Sequence, residues 1–319
     1  MDPCLYALIS TYVPEHFSVL TELSGGFLIK EFRDGNTYAN GVLHSFNDEP
    51  ATIWEDGTKV WFRNGERHRD NDLPAIIESN GSKLWYQKGK MHRDNDLPAV
   101  VEYDGSEMWF QNGKLHRDND LPAIVFGKGD HEWWQNGKRH RDNDLPAVIN
   151  GDHQEWWQNG KRHRVNDLPA VIEADGTEEW WQNGERHRDN DEPAVCSRDE
   201  TEEWWQNGEH HRDNDLPAEI RCSFRDMRQI WWQKGKIHRE NDKPAVICSN
   251  GTQFWYKNGK LHRDNGPAII QDGVEQWYRN GKLHRGDGPA VIRPREKEWW
   301  RNGKMIYHDI EDDDDYWSN

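Results

Sequence analysis

Pro169-Ala-Val-Ile-Glu-Ala-Asp-Gly-Thr-Glu-Glu-Trp-Trp-Gln-Asn-Gly-Glu-Arg-His-Arg-Asp-Asn-Asp-Glu192 carries two runs of strand formers and two turn signals in 24 residues. Asp175-Gly176 lies between residues 170–174 and 177–182, and Asp-Gly suits a type I′ hairpin because both central residues need positive φ. Asn183-Gly184 then closes the second strand, and a polar stretch leads to Pro193, where a missing N–H is harmless at the mouth of the next strand. Gly, Pro, Asn and Asp recur too closely for a packed helix. The unit therefore predicts two strands of one hairpin.

Outward from this copy the pattern repeats along the chain. Its tryptophan recurs at Trp61, Trp85, Trp109, Trp133, Trp156, Trp180, Trp204, Trp231, Trp255, Trp277 and Trp299, at steps of 24, 24, 24, 23, 24, 24, 27, 24, 22 and 22 residues. A degenerate copy, Thr37-Tyr-Ala-Asn-Gly-Val-Leu-His44, precedes them, and 17 of the 19 Trp belong to the block, so the indoles mark repeated structural positions. The expected fold is all-β: an elongated, meandering antiparallel sheet of about twelve stacked hairpin repeats of period about 24, each giving its neighbours the edge that a lone hairpin lacks. The eleven tryptophans are expected to form its structural aromatic stack. Adjacent rings such as Trp180 and Trp181 point to opposite faces of a strand.

Composition agrees with a thin core. Only 34% of the 319 residues are hydrophobic and the mean hydropathy is -1.15, while indoles bury large areas at a wet edge. No run of 18 apolar residues exists, and Met1 to Tyr12 lacks a secretory signal, so the expected location is the cytoplasm. Lys and Arg number 41 against 58 Asp and Glu, leaving -17, a field that opposes nucleic-acid binding. Membrane-surface binding is not favoured either. Protonating all 16 His would bring the charge from -17 to about -1. Cys4, Cys196, Cys222 and Cys248 show no metal spacing and are expected reduced, with a disulfide between neighbouring repeats left open.

Trp255-Tyr-Lys-Asn-Gly-Lys-Leu-His262-Arg-Asp-Asn-Gly-Pro267 and Trp277-Tyr-Arg-Asn-Gly-Lys-Leu-His284-Arg-Gly-Asp-Gly-Pro289 resemble the MORN repeat and its variants. The middle copies depart from it, with His-Arg-Asp-Asn-Asp-Leu-Pro in place of a glycine-rich closing turn. The form is similar to tandem repeat proteins encoded by giant DNA viruses, and the resemblance covers roughly residues 27 to 308. It implies scaffolding, protein–protein or membrane-proximal interaction, with no established chemistry. The location implied for a viral protein is host cytoplasm or virion.

Three regions are expected. Residues 1–26 read as a helical N-terminal cap, with helical spacing in Leu5 to Tyr12 and a second short helix around Phe17, Val19, Leu20 and Leu23. The alternative there is an F-box-like segment. Residues 27–308 are the array, and 309–319 an acidic tail that discourages end-to-end sheet addition.

The repeated polar segment supplies the candidate site residues. His68, Arg69, His92, Arg93, His116, Arg117, His140, Arg141, His163, Arg164, His187 and Arg188 form a ladder that either packs against Trp and pairs with Asp or faces a partner. Asp70, Asp72, Asp94, Asp96, Asp118 and Asp120 are weak oxygen-ligand candidates for calcium, lacking a bidentate Glu at fixed spacing. No catalytic or cofactor-binding residue stands out, since catalysis needs one asymmetric constellation and every unit presents the same set. The leading expectation is a non-enzymatic scaffold for unidentified protein partners, without cofactors. Its alternatives are a ubiquitin-ligase substrate adaptor and a toxin-neutralising repeat protein.

Overall fold

The computed structural model describes residues 16–23, 26–223 and 226–311, and among them every regular element is a strand. The chain divides into two compact parts, Met1–Gly151 with Trp157–Gly160 and Asp152–Trp156 with Lys161–Asn319. Twenty-three of the described strands form ladders of the expected antiparallel kind.

A repeat of the first part shows the plan. Ile76–Ile77 pairs with Lys83–Leu84 across the turn, and Lys83–Leu84 pairs on its other side with Val100–Val101 of the next repeat. In the second part Val171–Ile172 pairs with Glu178–Glu179, which pairs in turn with Val195–Cys196. Both of these hairpins are closed on both sides by neighbours, Ile76–Ile77 also pairing with Lys59–Val60 and Val171–Ile172 with Gln154–Glu155, which satisfies backbone groups that a lone hairpin leaves to water.

The second strand is not continuous, contrary to the sequence reading of 177–182. It breaks at the first tryptophan. Trp180 turns its N–H to the carbonyl of Ala194 in the next repeat (2.8 Å) and its carbonyl to the N–H of His187 (3.1 Å). Beyond the break, Trp181–Gln182 pairs with Glu185–Arg186 as a separate small hairpin. Asn183-Gly184 is the turn of that hairpin, with φ of 52° and 88°, the positive values that type I′ geometry requires. These small hairpins are tied in series by one backbone bond each, as from Gly184 N–H to Arg162 O (2.9 Å) and from Gly89 N–H to Arg67 O (3.0 Å). A repeat of this kind therefore has four short strands, whereas in the last one Glu296–Arg301 runs through Trp299 and Trp300 as one strand.

The core is one alanine, one aliphatic and one indole deep. Ala75, Ala99, Ala123, Ala170, Ala194 and Ala218 are fully buried, beside Ile76, Val100, Val171 and Val195. The polar return loop doubles back through Asn95 and Asp96 at φ of 60° and 54°. Asn and Asp tolerate this left-handed conformation better than other non-glycine residues.

Three further expectations change. The second helix of the N-terminal cap is a strand: His16–Leu23 pairs with Gly26–Arg33. Phe17, Val19, Thr21 and Leu23 alternate with period two, and the hairpin partner across 24–25 satisfies the backbone. The boundary expected at residue 26 falls at the start of that partner, while the helix expected over Leu5 to Tyr12 lies outside the described residues. At the other end, Asp309 and Ile310, which the acidic tail was expected to include, belong to the strand Lys304–Ile310, and residues 312–319 lie outside the described residues. The 27-residue step lengthens one ladder hairpin in register, Glu219–Ser223 against Asp226–Ile230. Cys196 and Cys222 are free thiols, and burial pushes the Cys196 thiol above its ordinary pKa.

Candidate functional site: the staple between repeats

The His-Arg-Asp-Asn-Asp segment is placed between consecutive repeats, and each of its charged side chains has a neighbour to bind. The guanidinium carbon of Arg93 lies over the ring of Trp85, 3.9 Å from its centroid. Its Nε and Nη2 donate to the two carboxylate oxygens of Asp72 in the preceding repeat (2.8 and 2.7 Å), and Nη1 donates to Pro98 O (3.3 Å). The backbone carbonyl of the same Asp72 accepts the indole N–H of Trp85 (3.0 Å). One aspartate thus holds both the arginine and the tryptophan of the next repeat.

Eight repeats share this arrangement, with Asp48, Asp72, Asp96, Asp120, Asp167, Asp191, Asp215 and Asp242 as the aspartate. Ten of the eleven repeat tryptophans carry their own repeat's arginine over the ring, at 3.7 to 4.1 Å. Trp299 meets the ring of Tyr307 instead. The tryptophans therefore stack on guanidinium groups, a contact worth about 0.5–2 kcal/mol each depending on desolvation. The guanidinium of Arg93 holds the Asp72 carboxyl below the usual carboxylate range, as Arg141 does for Asp120 and Arg239 for Asp215, the last lowered to about 2.

Histidine completes the link in the forward direction. His92 Nδ1 accepts the backbone N–H of Asn112 at the next small hairpin (3.2 Å), while Nε2 lies 3.0 Å from Asp94 Oδ1. A backbone N–H can only donate, so Nδ1 is unprotonated and Nε2–H donates to the aspartate. His68, His116, His140, His163 and His187 accept from the following turn in the same way. His211, next to the lengthened hairpin, is the exception, with a buried Nδ1 that lacks a partner. A general base needs a ring nitrogen free to meet a substrate proton. In His68, His92, His116, His140, His163 and His187 the accepting nitrogen is already occupied by the backbone.

The calcium candidates divide into two sets. Asp72, Asp96 and Asp120 direct both oxygens to Arg93, Arg117 and Arg141. Asp70, Asp94 and Asp118 accept from His68, His92 and His116 and also from Arg63, Gln87 and Gln111. Their lone pairs already face nitrogen donors. Among the described residues, Glu296, Glu298 and His308 do bring ligand atoms together, but Arg293 bridges both carboxylates.

A second network escaped the sequence reading. At four small hairpins that begin with Trp a glutamate receives the indole N–H: Glu132 for Trp134, Glu179 for Trp181 and Glu203 for Trp205, each two residues earlier, and for Trp232, which has Ile230 in that place, Glu219 on the paired strand. The same glutamates hold the arginines of the returning strand, Glu132 with Arg139 and Glu179 with Arg186. Arg186 lies near both Trp181 and Trp205, at 5.2 and 5.3 Å. Where the hairpin begins with Phe or Tyr, the corresponding residue is Val60, Leu84, Met108, Phe254 or Gln276. Comparing copies within the chain reveals the rule, because acceptor and indole appear together.

Six of the loops leave a leucine outward. Leu73, Leu97, Leu121 and Leu145 of the first part are 37 to 39% exposed, and Leu168 and Leu216 of the second are alike at 39%. Glu192 and Lys243 take the equivalent position elsewhere. Among the described residues no helix is long and apolar enough to cross a membrane. No family model matches the chain, and no curated protein matches it.

Proposed function

We propose that the chain is a non-enzymatic, MORN-like repeat scaffold whose repetitive surface binds protein partners. One observation carries this reading: the side chains that would do chemistry are engaged with one another from repeat to repeat, while Leu73, Leu97, Leu121 and Leu145 face outward at the same place in four consecutive repeats. Apolar side chains in a regular row with charged surroundings suit a partner that is itself repetitive or extended. The adaptor reading has less support, since residues 16–23 form a strand.

Affinity capture with the full chain and with Leu97→Asp plus Leu121→Asp tests the proposal. Both positions are exposed, so the fold persists and its Tm stays within a few degrees. Selective loss of captured proteins from the double variant supports the scaffold, and an unchanged set of captured proteins overturns the leucine row as its surface.

A further inference from the structure

The aspartate that closes the other staples is missing from the two short loops 262–267 and 284–289, and the first of these is followed by a repeat that keeps an arginine over its tryptophan. His262-Arg263-Asp264-Asn265-Gly266-Pro267 is one residue shorter than His238-Arg239-Glu240-Asn241-Asp242-Lys243-Pro244, and the counterpart of Asp242 is what it lacks. Both donors that this aspartate serves elsewhere are consequently released in the following repeat. Arg285 keeps its place over Trp277 (4.1 Å) and its Nη1 bond to Pro289 O (3.1 Å). Its Nε turns to Asp287 of its own loop (3.0 Å), whose side chain is 84% exposed. Among the described residues neither Nη2 of Arg285 nor the indole N–H of Trp277 has a hydrogen-bond partner.

The space is not refilled. Arg263, Trp277, Arg279, His284, Arg285 and Asp287 are among the residues lining a cavity of about 620 Å³. A Cβ at Gly266 would lie 3.0 Å from Arg263 Nη1, and one at Gly288 3.1 Å from Arg285 Cζ. Glycine at these positions leaves room beside the arginines and puts no side chain where Asp242 stands in the preceding loop. Three arginines against the two aspartates Asp264 and Asp287 leave this lining locally cationic on an acidic chain.

We propose that this gap is a binding site for an aspartate residue of an extended peptide. Elsewhere in the array the guanidinium takes a carboxylate and the indole N–H takes the backbone carbonyl of the same residue, as with Asp242 for Arg263 and Trp255. A peptide aspartate reproduces both contacts, with its side chain on Arg285 and its main chain on Trp277. Asp287 is the internal competitor for Arg285. The site stands apart from the leucine row, which lies on other repeats, so either test can fail alone.

The experiment titrates the ¹⁵N-labelled full chain with Ac-Asn-Asp-Leu-Pro-NH₂, Ac-Asn-Asn-Leu-Pro-NH₂ and succinate, following the indole N–H signals. The Trp277 signal is the one lost in Trp277→Phe. It should move saturably with the aspartyl peptide, and much less with the asparaginyl peptide or with succinate, which lacks the peptide carbonyl. Arg285→Lys removes the two-pronged contact and should weaken binding about tenfold or more, while Asp287→Asn, at an exposed position, should strengthen it. The remaining indole signals report that the fold persists in each variant. An unmoved Trp277 signal, equal binding of the asparaginyl peptide, or equal affinity in Arg285→Lys overturns the site. Succinate binding as tightly as the peptide overturns its assignment to a peptide.

Discussion

The small hairpins around Tyr86 and those around Trp181 have the same backbone and opposite fillings. At Tyr86 the neighbours are Phe62, Leu84 and Met91, packed on Val60, Ala75 and Ile76. At Trp181 they are Arg186 and Glu179, with the indole N–H and the guanidinium sharing one carboxylate. The first filling is held by apolar area and tolerates approximate shapes. The second is held by directed bonds in a partly dry place, where each member depends on the others. A repeat array can therefore exchange one filling for the other only if three positions change together.

Breaking the charged filling at one position should have the largest effect. Glu179→Ala leaves Arg186 and the Trp181 N–H without their acceptor, and should cost about 3–5 kcal/mol in chemical denaturation, as for other broken buried pairs. Leu84→Ala, the equivalent deletion in the apolar filling, removes a half-buried side chain and should cost about 2 kcal/mol. A loss at Glu179 no larger than that at Leu84 would erase the distinction. Replacing all three members, by Glu179→Leu, Trp181→Phe and Arg186→Met, should be neutral or stabilising by about 1–4 kcal/mol, and loss of the native fold in this triple variant would show that the fillings are not interchangeable.

Acidity separates the regions further. His210 is sandwiched between Trp205 and Trp232 with centroids 4.6 and 4.7 Å away, and its Nε2 donates to Ala218 O. Burial pushes its pKa below the ordinary value despite the nearby Glu203 and Glu219. The folded state thus favours the neutral ring. Its stabilisation is present above the ordinary pKa of about 6.5 and is lost as pH falls from there towards the lowered value. His210→Leu should flatten the fall in stability between about pH 6.5 and 5, measured as Tm against pH, whereas a parallel curve would assign that fall to the other histidines. The smallest effect is expected at Asp215, held down to about 2 by Arg239 and Lys243. Its carboxylate contributes above the ordinary carboxylate pKa and ceases to do so only as pH falls through about 2, so Asp215→Asn should differ from the parent chain at neutral pH and converge with it near pH 2, as seen in acid unfolding.

The repeat, its period and the hairpin at Asp175-Gly176 were legible in the sequence because turn residues and strand formers alternate openly. The break at Trp180 was not. Strand formers run through it without interruption, and what turns the chain is the tertiary destination of one N–H, the carbonyl of Ala194. At residues 16–23 the spacing of Leu20 and Leu23 suggested a helix, and pairing with residues 26–33 decided for a strand. For the site, the spacing of His, Arg and Asp marked which residues recur, while the partner repeat of each became visible only when the loop's left-handed turn at Asn95 and Asp96 placed it. The glutamate rule was present in the text of the sequence and required copies to be read against one another.

The staples also prescribe an order of events during synthesis. Asp72 binds Trp85 and Arg93, separated from it by 13 and 21 residues, and His92 waits for Asn112, 20 residues on. Every one of these bonds joins a repeat to the next, and none of them reaches across several. A chain emerging from the ribosome can finish each repeat as soon as its successor has appeared, and the short separations keep the loop-closure cost small at each step. Growth by accretion, one carboxylate at a time, lets so polar a chain fold without first collapsing around a large core.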